Sequence, residues 1–279
     1  MILSQIIYRH FLNFVESKSV NFSLQSHDNF LKCNENTDFY YHEYYCVKKT
    51  TPPHNDNTCK SCKAHFLKNR PGIMHADDVD RGIDIETSFM DYLNFIFKIK
   101  CKSLLCKKAD DEYKNMPDLK IVDISRNEVL CYIEMKSIFK PFIKINERVN
   151  PDFYCNSHSL TLDSDEKLEK QFNLIESKGI QDITIYVYWY DIPCLKGIFW
   201  STFTHVLNCK NNQDNYIRKT VEGDYSGNRR SGHIQKIYLN IKEMNDFESL
   251  IKYISRQQIE PYLKIENYSD IEKYRINFD

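Results

Sequence analysis

Long apolar runs are missing from this chain of 279 residues, and no later stretch approaches the length of unbroken apolar sequence needed to span a bilayer. Missing too are GxxxxGK[ST], GxGxxG and GxSxG, so nucleotide-cradling loops and hydrolase elbows have no anchor, and the nine histidines contain no HExxH. Glycine and proline are scarce, at 7 and 8 residues, and no internal repeat or long low-complexity stretch appears. The formal net charge of −1 provides no global basic field, so a nucleic-acid partner would have to be held by local basic patches. The run from Met1 to Val15 has no basic lead, and Gln5, Tyr8, Arg9, His10 and Asn13 interrupt it. It reads as an amphipathic helix with Ile2, Ile6, Phe11, Phe14 and Val15 largely on one side, and not as a secretion signal. Ten cysteines without such a signal are expected to be reduced thiols or metal ligands in the cytoplasm.

What the chain does contain is 42% hydrophobic and 28% charged residues, enough for one large globular core. Its most informative stretch is PDLKIVDISRNEVLCYIEMK, Pro117 to Lys136. Two aliphatic runs, Leu119 to Ile124 and Val129 to Ile133, flank the polar quartet Ser125, Arg126, Asn127 and Glu128, which predicts a short antiparallel hairpin. Side chains alternate along a strand, so Glu134 and Lys136 share a face. Two carboxylates, Asp118 and Glu134, then meet one ammonium near one end of the hairpin. A hard cation such as Mg²⁺ takes carboxylate oxygens, waters and substrate phosphate. Lys136 can orient the attacking water and offset charge on a phosphate.

These residues carry a family likeness. Pro117-Asp118, followed by a strand ending in Glu134-Met135-Lys136, resembles the PD-(D/E)xK nuclease superfamily, and the chain length and single core are similar to type II restriction endonucleases. The resemblance implies that Asp118 and Glu134 bind Mg²⁺, that Lys136 assists the water, and that cleavage of double-stranded DNA leaves a 5′-phosphate, with a homodimer cutting both strands. It implies a further acid from the preceding helix, which here is Glu86. Gln171, on the helix after the hairpin, resembles a polar position that some members direct toward the site.

Between Met1 and residue 75 lies the densest metal-type spacing. His42 and Cys46 are followed by Cys59 and Cys62, with His54 and His65 nearby. Two close pairs of this kind suit a tetrahedral structural Zn²⁺, with Cys46, Cys59 and Cys62 as ligands and His42, His54 or His65 as the fourth. The alternative is a set of free thiols on a loop. A helix carries Ile85, Phe89, Leu93 and Phe97 at four-residue steps. The lysine-rich stretch Lys98 to Lys114 reads as a solvated loop or a short strand. Asp165 to Ser177 reads as a helix with Leu168, Phe172 and Ile175 buried and Gly179 as its stop. Strand Ile183 to Tyr190 follows, parallel to the Glu134 strand through a crossover.

Gly197 to Val206 and Ile234 to Ile241 are expected as strands, with Asp246 to Ser255 as a closing helix. The fold class is therefore α/β, a mixed central sheet flanked by helices. The implied division is residues 1–75 for the N-terminal helix and Cys/His segment, and residues 76–279 for a restriction endonuclease-like nuclease domain. Lys140, Lys144 and Arg148 leave the active strand among aromatics and suit phosphate contacts. Arg218, Lys219, Arg229, Arg230 and His233 concentrate positive charge in a polar segment that suits base recognition, or forms a solvated loop. Competing functions are a non-enzymatic, zinc-containing DNA-binding protein, in which the hairpin acids are surface charges, and a repair or recombination nuclease that reads DNA structure.

Overall fold

The computed structural model describes residues 7–8, 10–11, 14–15, 75–110, 113, 115–138, 159–163, 166–192, 195–212, 217–218, 224–226, 229–232, 236–240 and 243–256. Helix α1 (His75–Lys100) leads into three antiparallel strands, β1 (Leu104–Lys108), β2 (Leu119–Asp123) and β3 (Glu128–Ile138). Strand β4 (Ser159–Asp163) and helix α2 (Glu166–Ser177) precede β5 (Thr184–Ile192), β6 (Leu195–Thr202) and helix α3 (Phe203–Asn211). Then come β7 (Ile217–Arg218), β8 (Asp224–Ser226), β9 (Arg229–Gly232), β10 (Lys236–Asn240), β11 (Asn245–Asp246) and helix α4 (Phe247–Arg256).

The main sheet has six strands in the order β1-β2-β3-β5-β6-β11. Strand β3 pairs antiparallel with β2 and parallel with β5, in register Tyr132↔Thr184 through Ile138↔Tyr190. A parallel neighbour requires a crossover, and α2 lies within it. The sheet is thus mixed, as the sequence predicts.

Strand alternation divides the sheet into two faces. On the first, Cys131, Ile133, Met135, Ile185, Val187, Trp189, Ile198 and Trp200 meet α1 and α4. Helical residues Ile7, Tyr8, Phe11 and Val15 enter this same core. Phe11 stands edge-on to Trp189 at 4.7 Å between ring centroids, and Trp189 Nε1 donates to the Tyr8 hydroxyl at 3.1 Å. The N-terminal helix and α1 therefore bury a common apolar surface. On the second face, Tyr186 and Tyr188 of β5 are buried, and Phe172 of α2 contacts both Tyr186 and Phe203 of α3. Lys210 of α3 reaches Glu169 of α2 at 2.7 Å.

Local chemistry explains several boundaries. Asp123 Oδ1 accepts from the backbone N–H and hydroxyl of Ser125, and Asn127 takes φ +53°, a left-handed conformation that asparagine tolerates. The hairpin accordingly turns at residues 124–127, one residue earlier than expected at Ile124. Strand β3 runs past Ile133 to Ile138 because β5 pairs with it over that whole length. Of the two readings of the stretch after Lys98, the short strand is the one seen. It is β1, with Leu104 and Cys106 buried. The Asn94 amide both donates to and accepts from the Cys106 backbone at 2.8 Å, covering an edge that would otherwise expose pairing groups. Gly179 stops α2 with φ +65°, and Ile180 N–H closes onto Ile175.

The strand expected over residues 197–206 ends at Thr202, and Phe203–Asn211 is helical. Thr202 accepts from His205 N–H at 3.2 Å, so a β-branched residue that looks like strand acts as a helix cap. The strand expected over residues 234–241 is seen as Lys236–Asn240, and the closing helix as Phe247–Arg256.

Candidate active site

The site forms where β2 begins. Asn115, at φ +71°, turns the chain, and Met116 N–H closes onto Tyr113 at 3.1 Å. Asp118 enters one residue before the Leu119↔Ile133 pair, so it arrives beside Glu134. Its Oδ2 accepts from Met135 N–H at 2.7 Å, which ties the carboxylate to the neighbouring strand.

Glu134 lies on the second face of β3 and is only 2% exposed. Both of its oxygens are engaged: Oε1 accepts from Lys136 Nζ, and Oε2 accepts from Gln171 Nε2 at 2.6 Å. Gln171 is buried on α2, and its Oε1 accepts from the Tyr186 hydroxyl at 3.0 Å. A relay of Tyr186, Gln171, Glu134 and Lys136 therefore spans β5, α2 and β3. Glu86 of α1 pairs with Lys108 of β1 at 2.8 Å. It lies close enough for its charge to act on both Asp118 and Lys136.

The electrostatics reflect crowded acids in a dry place. Burial, reinforced by the negative charge of Glu134, pushes the Asp118 carboxyl up to about 8. Lys136 and the Met135 N–H pull it the other way and do not prevail. Burial alone would pull the Lys136 ammonium down, but Glu134 and Asp118 overcome it and hold Lys136 above its ordinary range. Two carboxylates that repel each other and one pinned cation form a set that a divalent ion would complete, since a bound ion lets both acids stay charged. Oxygen donors from Asp118 and Glu134 suit a hard cation of the Mg²⁺ type. The donor set fits such an ion.

Asp118, Glu134, Lys136, Glu86 and Gln171 are thus neighbours. Lys108 and Tyr186 join them without any local sequence signal, because their role depends on which elements adjoin. Arg218 lies in β7 of a three-stranded sheet, order β4-β10-β7, while Arg229 and Arg230 lie in β9 of a two-stranded ribbon with β8. Lys140, Lys144, Arg148, Lys219, His233, His42, Cys46, His54, Cys59, Cys62 and His65 fall outside the described residues. A second cluster unites His205 and Cys209 of α3 with Glu243, their ligand-type atoms all within 4.8 Å of one another. The i, i+4 spacing of His205 and Cys209 is its sequence signal, masked where a strand is expected through Val206.

No family model and no curated protein matches the chain. Among solved structures it is similar to a nuclease from a fusselovirus, with 9% identity, a TM-score of 0.33, and coverage of 55% of this chain and 76% of that one. The α/β class itself follows from the sheet order and from the helices on both faces. Among the described residues, no helix is long and apolar enough to cross a membrane.

Proposed function

We propose that this chain is a Mg²⁺-dependent endonuclease of the PD-(D/E)xK type that hydrolyses phosphodiester bonds of double-stranded DNA at specific sequences, acting as a cytoplasmic homodimer. The observation that carries the reading is the meeting of Asp118 with Glu134 and Lys136, where burial and like charge raise the Asp118 carboxyl. Asp118 and Glu134 would hold the metal, which when bound supplies Lewis-acid activation of water and neutralises phosphate charge. Glu134 also fixes Lys136 through Oε1, so the ammonium is aimed before substrate arrives. Lys136 holds the attacking water by hydrogen bonding and offsets charge growing on the phosphate oxygens. Gln171 keeps Glu134 in one orientation, and the Met135 N–H does the same for Asp118. Glu86, restrained by Lys108, is the third acid at the rim. Lys140, Lys144 and Arg148 would contact phosphates, while Arg218, Lys219, Arg229, Arg230 and His233 would read the duplex.

The test is incubation with supercoiled plasmid, with and without Mg²⁺, followed by sequencing of fragment ends. The expected result is metal-dependent cutting with a defined end sequence. Asp118→Ala should abolish it, and Lys136→Ala should lower it by about 100- to 1000-fold, in the range of a lost charge-stabilising donor. Both variants should still bind DNA in Ca²⁺. Normal cutting by either variant would overturn the assigned roles. Undefined ends would point instead to a nuclease that reads structure. Binding without any cutting would favour a non-enzymatic DNA-binding protein.

A further inference from the structure

Away from the carboxylate centre, α3 offers two donors of different softness on one side. His205 and Cys209 are four residues apart, the spacing that stacks side chains on consecutive helical turns. Thr202 caps the helix directly onto His205 N–H, fixing where this first donor falls. Cys209 Sγ lies 3.5 Å from His205 Nε2, and Glu243, in the connection between β10 and β11, brings Oε2 to 3.7 Å from the same nitrogen.

The convergence on a single ring nitrogen decides between two chemistries. A thiol nucleophile activated by a histidine would use one ring nitrogen for sulfur and the opposite one for the orienting acid. Here sulfur and carboxylate both crowd Nε2, so Glu243 is not placed as the orienting acid on the opposite nitrogen. Ligands around one tetrahedral ion behave differently. With Zn–N, Zn–O and Zn–S bonds of ordinary length, the donors would be about 3.5 Å apart for N and S and about 3.4 Å for N and O. The observed 3.5 and 3.7 Å lie close to that spacing. One buried thiol, one half-exposed imidazole and one exposed carboxylate also leave the outer side open to water. The buried Tyr188 hydroxyl has no hydrogen-bond partner among the described residues and lies within electrostatic reach of both Glu134 and Cys209.

We propose that His205, Cys209 and Glu243 form a site for a borderline divalent transition metal of the Zn²⁺ class, with water as the fourth ligand. Its donors differ from the all-oxygen set at Asp118 and Glu134, so the two sites select different ions. The ion would tie α3 to the connection that carries the chain from β10 into β11, joining the three-stranded sheet to the edge of the main one. Metal binding at this site is read without any cleavage assay.

Co²⁺ titration of the full chain reads the site directly, because a thiolate ligand gives a near-ultraviolet charge-transfer band that carboxylates do not. The titration is run on the full chain carrying Cys33→Ser, Cys46→Ser, Cys59→Ser and Cys62→Ser, which removes the four thiols of the N-terminal segment. One equivalent of Co²⁺ should still give the band, and Zn²⁺ should displace it. Adding Cys209→Ser should remove the band, and Glu243→Gln, at an exposed position, should weaken Co²⁺ affinity by about tenfold or more. Absence of a band before Cys209 is changed overturns the proposal. So does a band that survives Cys209→Ser, or an unchanged affinity in Glu243→Gln, which remains readable if the cysteine variant does not fold.

Discussion

Gln171 is a glutamine in the middle of an amphipathic helix, a residue that elsewhere would face water, and here it is 3% exposed and bonded at both ends. Replacing it with Leu preserves bulk but leaves Glu134 Oε2 and the Tyr186 hydroxyl without their partner. The proposed cleavage is expected to fall about 10- to 100-fold in Gln171→Leu, the usual cost of losing a group that orients a metal ligand, here the proposed ligand Glu134, and single-turnover rates would measure it. Tyr186→Phe should cost less, since Gln171 would retain Glu134. Asp118 gives a stability prediction. Its carboxyl is raised from 3.8 to about 8 chiefly by burial, so in the metal-free native state it keeps a proton that the unfolded chain has already lost. Stability from this group is therefore greatest below the ordinary carboxylate range and declines as pH rises toward 8. Urea unfolding in chelator should show a lower midpoint at about pH 9 than at about pH 5, and Asp118→Asn should flatten that difference. Added Mg²⁺ should restore stability at the higher pH and leave the Asn variant unmoved.

The elements divide by how local their causes are. The 119–133 hairpin, α2 with its Gly179 stop, and the parallel strand after it are legible because alternation, a four-residue period and a left-handed glycine are written in neighbouring residues. The paired acids and lysine are legible for the same reason, since Glu134 and Lys136 are two apart on one strand. Lys108 and Tyr186 are not, because a lysine in a lysine-rich stretch and a tyrosine among tyrosines acquire their partners only through tertiary packing. Residues 203–206 mislead because Phe203 and Val206 favour a strand locally, while the cap at Thr202 starts a helix whose Phe203 buries against Phe172. Thr202→Ala should destabilise α3 by about 0.5–2 kcal/mol, the range for a lost N-cap, as measured by chemical denaturation. The N-terminal helix is a larger contributor. Phe11 is fully buried against Phe89, Tyr92, Trp189 and Phe247. Phe11→Ala should therefore cost about 3–5 kcal/mol, as large-to-small changes in packed cores do.

At the scale of the whole molecule, a net charge of −1 makes the proposed DNA affinity depend on where cations are gathered. Replacing Arg229 and Arg230 together with Ala should reduce the slope of log affinity against log salt by about 1 for each phosphate that the two guanidinium groups neutralise. A slope unchanged from the parent chain would remove β9 from the DNA-facing surface. The parallel pairing of β3 with β5 has a different bearing. Glu134 owes its orientation to Gln171 and Tyr186, which are translated some time after it, and its own strand acquires that neighbour only when the chain has looped back across the sheet. A partly synthesised polypeptide ending before residue 184 would already contain both acids, the lysine and Gln171, yet lack β5 and the Tyr186 hydroxyl that holds Gln171 in turn. Timing is thereby built into the topology: the hairpin brings the two acids and the lysine together early, and the brace behind Glu134 is completed only when β5 takes its place.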